Sequence, residues 1–156
     1  MNIQTLFVDA DSCPVTKEIV EIASVHAIDV IFVASYAHMK KDLQGQNWVF
    51  VDSVKEAVDL YIMNHAKKSD FAVTQDIGLA STLLAKRVYT ISPRGILFEE
   101  NEIQTALEMR HLTAKARRHG FYGKGPKPFT EKDREKFIKE LNMLLSKFKI
   151  CSRNHN

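Results

Sequence analysis

The chain has 156 residues, of which 45% are apolar, 26% charged and 9% aromatic, and its formal net charge is +3. At roughly 100–200 residues per domain, this is one globular domain with room for a short appendage, and it excludes a two-domain enzyme with a separate cofactor domain. No run approaches the ~18 consecutive apolar residues of a membrane span. Met1-Asn2-Ile3-Gln4-Thr5 lacks the basic region and cleavage site of a signal peptide, so the expectation is a cytoplasmic protein with no membrane partner. Cys13 and Cys151 are too few for a disulfide scaffold and too far apart to suggest a zinc cluster.

Short, β-branched apolar runs alternate with segments of helical spacing. Strands are predicted at residues 3–8, 30–34, 48–51, 71–73 and 88–91. Continuous runs of this kind suit strands buried on both faces, as in a parallel sheet. Helices are predicted at 15–26 with Pro14 in the first turn, at 53–67, at 77–86 behind Asp76, and at 102–118. Ser53-x-x-Glu56 has the capping-box pattern, which gives Glu56 a structural task. The alternation predicts an α/β sandwich with a mostly parallel sheet over residues 1–118. Residues 119–129 hold three of the six glycines and two of the four prolines and read as a loop. A last amphipathic helix over 130–148 carries Phe137, Ile138, Leu141, Leu144 and Leu145 on one face, so it is expected to pack on the same domain, ahead of a tail at 149–156.

Charge is divided unevenly along these elements. Residues 1–109 hold nine Lys/Arg against fifteen Asp/Glu, and residues 110–156 hold thirteen against four. An acidic body with a basic C-terminal third suits chemistry in which carboxylates hold a cation and a basic segment holds a polyanion. The plainer reading is that the tail is a helix with a solvated face.

Ligands of open parallel sheets bind beyond the carboxyl ends of the strands. The first strand ends in Asp9-Ala10-Asp11, the third in Asp52, and the fourth in Thr74-Gln75-Asp76. Glu56 and Asp59, three residues apart, share a helix face behind the third. Asp70 opens a strand and belongs at the opposite edge. Asp52 and Asp76, taken singly, read as readily as turn formers or N-caps, whereas Asp9-x-Asp11 follows an apolar strand directly and alternation points its two carboxylates the same way. Together, Asp9, Asp11, Asp59, Asp76 and Glu56 form a candidate site for a hard divalent cation, Mg²⁺ or Mn²⁺. The same Asp-x-Asp also opens phosphatases of the haloacid-dehalogenase type, with Asp9 as nucleophile, but Cys13 stands where that pattern wants Thr or Val. Cys13, near a helix start, is itself a candidate thiolate, although inert packing is the plainer reading. The six histidines show no zinc-ligand spacing, and Gly123-Lys124-Gly125-Pro126 is too loose for a phosphate loop.

Three stretches, Val8-Asp9-Ala10-Asp11-Ser12-Cys13-Pro14-Val15, Val73-Thr74-Gln75-Asp76-Ile77-Gly78-Leu79-Ala80 and Pro93-Arg94-Gly95, resemble the YaiI/YqxD family of bacterial proteins. Met109-Arg110, Arg118-x-Gly120, Gly125-Pro126 and Asp133-Arg134-x-x-Phe137 follow in family order, so the resemblance spans nearly the whole chain. It implies a PIN-like three-layer α/β/α sandwich with a C-terminal helical extension, and PIN-like proteins are mainly Mg²⁺- or Mn²⁺-dependent ribonucleases that often form homo-oligomers. By position, Asp9, Asp11 and Asp76 match the family's acidic motifs. Asp59 matches the second acid of a motif that usually reads Asp-x-Ala-Asp and here reads Glu56-Ala57-Val58-Asp59. The usual Gly-Gly-Pro appears as Gly123-Lys124-Gly125-Pro126, and Ser92 stands in place of the usual Asn before Pro-Arg-Gly.

The expected activity is phosphodiester hydrolysis on RNA, with Asp9, Asp11, Asp76 and Thr74 as the catalytic set, Thr74 orienting a water or a carboxylate. Arg94, Arg110, Lys115, Arg117 and Arg118 are the candidate phosphate-backbone contacts. The alternatives are a non-catalytic PIN-like module that binds RNA or protein, and the Asp-x-Asp phosphatase.

Overall fold

The computed structural model describes residues 3–11, 13–38, 47–54, 56–120 and 127–150. The Gly123–Pro126 motif, Cys151 and the tail beyond residue 150 lie outside the described residues. Within them, β1 (Thr5–Asp9), β2 (Asp29–Ser35), β3 (Trp48–Val51), β4 (Phe71–Val73) and β5 (Tyr89–Ile91) form one parallel sheet in the order β3-β2-β1-β4-β5. Helices α1 (Thr16–His26), α2 (Ala57–His65), α3 (Ile77–Ala85), α4 (Glu100–Arg118) and α5 (Glu131–Phe148) alternate with or follow the strands.

Successive strand residues face opposite sides of a sheet, and this period sorts the core into two layers. Leu6, Val8, Phe32, Phe71 and Val73 pack with Val15, Ile19 and Ile22 near and on α1 and with Phe137, Leu141, Leu144 and Leu145 of α5. Phe7, Val33 and Ala72 pack on the other side with Val58 and Ile62 of α2 and Leu79 and Leu83 of α3. The result is an α/β/α sandwich. Phe32, Phe71 and Phe137 are fully buried, and each contributes roughly 1.5–3 kcal/mol of apolar transfer.

Two expectations about elements change. Residues 48–51 read as a strand buried on both faces, yet β3 is half-buried throughout, because it lies at the sheet edge with one neighbour. The capping box Ser53–Glu56 does not form. α2 begins at Ala57, Glu56 occupies the N-cap in the left-handed region (φ 69°) without a side-chain cap bond, and Ser53 Oγ accepts from the Ala37 N–H at 3.0 Å. Asp76 does cap α3, accepting from the Leu79 N–H at 3.1 Å. Thr130 and Asp133 form a full capping box at the start of α5.

That capping box is tied into a cluster at the carboxyl edge of the sheet. Arg94, after β5, pairs with Asp133 at 2.8 Å and donates to the carbonyls of Lys127 and Pro128. Arg134 pairs with Glu18 of α1 at 2.6 Å, and both guanidiniums lie over the Phe129 ring. Asp133 is held below the usual carboxylate range by the Thr130 backbone N–H first, with the Thr130 hydroxyl and Arg94 adding to it. The cluster joins α1, α5 and the turn after β5.

Candidate metal and nucleic-acid site

The strand order reverses between β1 and β4. β1 leads to β2 on one side and α1 covers one face, whereas β4 leads to β5 on the other side and α3 covers the opposite face. A crevice opens at such a switch point beyond the strand ends. Here it is a cleft of about 820 Å³ lined by Asp9, Asp11, Ser35, Glu56, Asp59, Gln75, Asp76 and Arg110 among others.

Each acid arrives by a local rule. Asp9 ends β1 with the parity of Phe7 and the register of Val33, both on the α2/α3 side. Asp76 is the N-cap of α3, and Asp59 sits in the first turn of α2. Two hydroxyl residues fix the set. Thr74, 1% exposed, donates through Oγ1 to Asp9 Oδ2 at 3.0 Å and accepts from the Asp76 N–H at 3.0 Å. Ser35, at the end of β2, donates to Asp11 Oδ1 from its backbone N–H at 2.8 Å and from its hydroxyl at 3.2 Å. Thr74 thus orients a carboxylate. Ser35 escaped the sequence reading, and its signal was its place as the polar end of a buried strand beside β1.

Proximity of like charges and burial raise the carboxyl pKa values. Asp9 is pushed up chiefly by burial, against the Thr74 bond, with Asp11 and Asp76 adding to the rise. Asp59 is pushed up to about 7 by burial first, then by the charges of Asp76 and Asp9, by a hydrogen bond with the Asp76 carboxyl and by Glu56. At the other end of the sheet, Asp70 accepts from the Thr5 and Lys67 N–H groups, as its place at a strand start implied.

A pH dependence follows for the cation-free protein. The Asp59 proton is held in the folded chain up to about pH 7 and lost near 3.8 in the unfolded one. Its stabilisation is therefore complete below about 3.8, declines as pH rises and is gone above about 7. Asp59 is partly solvated, so solvent screening leaves an effect of about 1 kcal/mol. Asp59→Asn should melt about 2–4 °C higher than the native chain at pH 8 in chelator and show a shallower loss of Tm between pH 5 and 8; parallel melting curves would remove the coupling.

The donor set is all oxygen and mutually repelling, which suits a hard divalent cation. Among the described residues, no three His, Cys, Asp or Glu side chains stand together in ligand geometry. Mg²⁺ keeps several waters and takes only one or two carboxylates directly, so the set fits it through a pair of acids with water to the rest. Asp52 is exposed and outside the cleft. Cys13 is partly buried against the α1/α5 core and is not among the lining residues.

The basic candidates separate. Arg110 lines the cleft from α4. At helical spacing Arg117 shares its face, Arg118 borders that face and Lys115 turns away, and all three are exposed. Arg94 is committed to Asp133 and the 127–128 backbone and does not line the cleft.

A family model described as "Uncharacterized BCR, YaiI/YqxD family" matches residues 7–147. The chain belongs to this family. UPF0178 proteins of this kind include one from Bacillus cytotoxicus, 47% identical over 148 residues, covering 95% of this chain and 97% of the relative. One from Listeria innocua is 50% identical over 132 residues, covering 85% and 90%. Among solved structures, that of Rae1 (YacP) from Bacillus subtilis (W164L mutant) aligns at a TM-score of 0.43 and 15% identity, over 92% of this chain and 98% of that one. No helix of the described residues of this YaiI/YqxD-family chain is long and apolar enough to cross a membrane.

Proposed function

We propose that the chain is a divalent-cation-dependent phosphodiesterase acting on nucleic acid, RNA foremost. The observation that carries this reading is the convergence of Asp9, Asp11, Asp59 and Asp76 in one cleft at the switch point, with Arg110 on its rim. Asp9, Asp11 and Asp76 would hold Mg²⁺ or Mn²⁺, with Asp59 and Glu56 reaching it directly or through water. The ion supplies charge neutralisation at the phosphate and a more acidic bound water. Thr74 and Ser35 keep Asp9 and Asp11 in place during hydrolysis, in which a water oxygen bonds to phosphorus and one P–O ester bond breaks. The proton lost by that water would pass to a cleft carboxylate and from there to the departing oxygen, which leaves as a hydroxyl. Arg110 and Arg117 track the phosphate backbone from α4, with Arg118 at the border; Arg94 drops out of this footprint.

A second reading, a binding module without catalysis, is favoured by the absence of three ready-placed metal ligands among the described residues. The two separate in one assay, cleavage and binding of a labelled RNA oligonucleotide with Mn²⁺ and with EDTA. The enzyme reading expects cleavage that EDTA abolishes; binding that survives EDTA with no cleavage at any Mn²⁺ concentration would favour the module. Reversing Arg117 and Arg118 to Glu should weaken binding broadly over sequences and flatten its salt dependence. Unchanged affinity would take both out of the footprint.

A further inference from the structure

α4 packs on the body over its first half and stands exposed over its second. Ile103 is buried, Ala106 and Leu107 are half-buried, and positions 108–115 are all exposed. Among these, Met109 is 58% and Leu112 57% exposed. Thr105, Met109, Leu112 and Ala116 follow one another at intervals of four, three and four residues. That is the spacing of a seam between two helices. Met109 lies about 120° around the helix from Ile103, so the seam turns away from the side that packs on the body.

Charge along α4 changes sign in the middle of this seam. Positions 99–109 hold Glu99, Glu100, Glu102 and Glu108 with no Lys or Arg, and positions 110–118 hold Arg110, Lys115, Arg117 and Arg118 with no acid. The helix dipole accounts for opposite charges in the first and last turns, but not for Glu108 in the middle. A helix divided in this way repels a parallel copy of itself and attracts an antiparallel one. Glu108 and Lys115 each precede a seam residue and stand on the same flank, seven residues apart. Both are exposed, and neither has an ion-pair partner among the described residues. The other flank carries only Ala106 and Thr113, small enough to let a second helix approach.

We propose that the exposed half of α4 is a homodimer interface, its seam paired antiparallel with the same seam of a second copy. Met109 then meets the partner's Leu112, and Leu112 meets the partner's Met109. Glu108 faces the partner's Lys115, and Lys115 faces the partner's Glu108. Each contact is made twice, as an interface with two-fold symmetry requires. Arg110 and Arg117 lie on the Ile103 side of the helix and stay clear, so the pairing is independent of what the cleft binds. A contact of one helix on one helix is small beside the ~1,600 Å² of a standard interface, so association is expected at micromolar rather than nanomolar concentration.

The test is sedimentation velocity of the full chain without nucleic acid, from micromolar to submillimolar concentration, at low salt where surface charges are least screened. The native chain should pass from monomer to dimer across that range. Glu108→Lys and Lys115→Glu each turn two attractions into two repulsions and should weaken the dimer about tenfold. Both positions are exposed, so each variant should melt with the native chain. Mixed in equal amounts, the two variants should form a dimer with one chain of each kind, and the double reversal within one chain should restore the homodimer. Leu112→Asp should keep the chain monomeric. A native chain that stays monomeric throughout, a dimer indifferent to both reversals, or a mixture no tighter than its components would overturn the interface.

Discussion

Asp9→Asn is expected to lower Mn²⁺-dependent cleavage of an RNA oligonucleotide by more than about 100-fold while the fold persists. Replacing a group that only supports a metal ligand costs roughly 10–100-fold, and in the proposed function Asp9 is a ligand itself. Its carboxyl is half-buried, held by Thr74 and crowded by Asp11 and Asp76. Taking one charge from that crowd relieves repulsion, so the variant should melt no lower than the native chain in EDTA. Thr74→Val provides the graded comparison. It removes the donor to Asp9 and the acceptor for the Asp76 N–H, so it should fall in the 10–100-fold range. Full activity in Asp9→Asn would remove the acid from the reaction, and a Thr74→Val loss larger than that of Asp9→Asn would show that the damage is to folding.

Gly95→Ala is expected to destabilise the fold by about 3 kcal/mol or more. Gly95 has φ +82°, and a Cβ there would lie 2.7 Å from the backbone C of Lys136 and 2.7 Å from the backbone N of Phe137. The left-handed conformation costs a side chain roughly 1–2 kcal/mol, and forcing atoms into a packed contact adds about 1–3. Relief requires α5 to move off the turn after β5, which would lift the fully buried Phe137 and strain the Arg94–Asp133 pair. Against a total stability of about 5–15 kcal/mol, the loss should lower Tm by roughly 10 °C. Gly120→Ala is the control, with φ +88° but no atom within 4 Å of a Cβ. It should cost only the backbone part. Equal melting of the two variants would show that the 95–136 approach carries no energy.

The strands and the carboxylate cluster were legible in the sequence for the same reason. Buried parallel strands demand apolar runs, and whatever polar residue ends such a run is delivered to the sheet's carboxyl edge. Asp9, Asp11 and Asp76 follow from that rule, and Asp70 follows from its converse. The local sequence could not show which strands are neighbours. β3 carries the apolar run of an inner strand because its Trp48 and Phe50 belong to an aromatic stack at the edge, and Ser35 acquires its role only because β2 lies beside β1. Ser53-x-x-Glu56 misled because the capping box competes with other partners for the Ser hydroxyl, and here the Ala37 N–H takes it. Glu56 is left in the left-handed region at the cleft, a conformation that costs energy and concentrates at functional sites. Arg94 looked like a phosphate contact because its partner, Asp133, is 39 residues away.

Whether these carboxylates bind a cation is read from thermal unfolding with and without Mn²⁺, for the native chain and for Asp11→Asn. An ion at about 100 times its Kd stabilises a folded chain by ~2.7 kcal/mol, several degrees at this size. Asp11→Asn sheds one repelling charge, so the increment caused by Mn²⁺ is the quantity to compare. The native chain should show a clear increment that is lost in Asp11→Asn. No increment in the native chain, or the same increment in both, would contradict a cation site and leave the acids as caps and turns at the end of a parallel sheet.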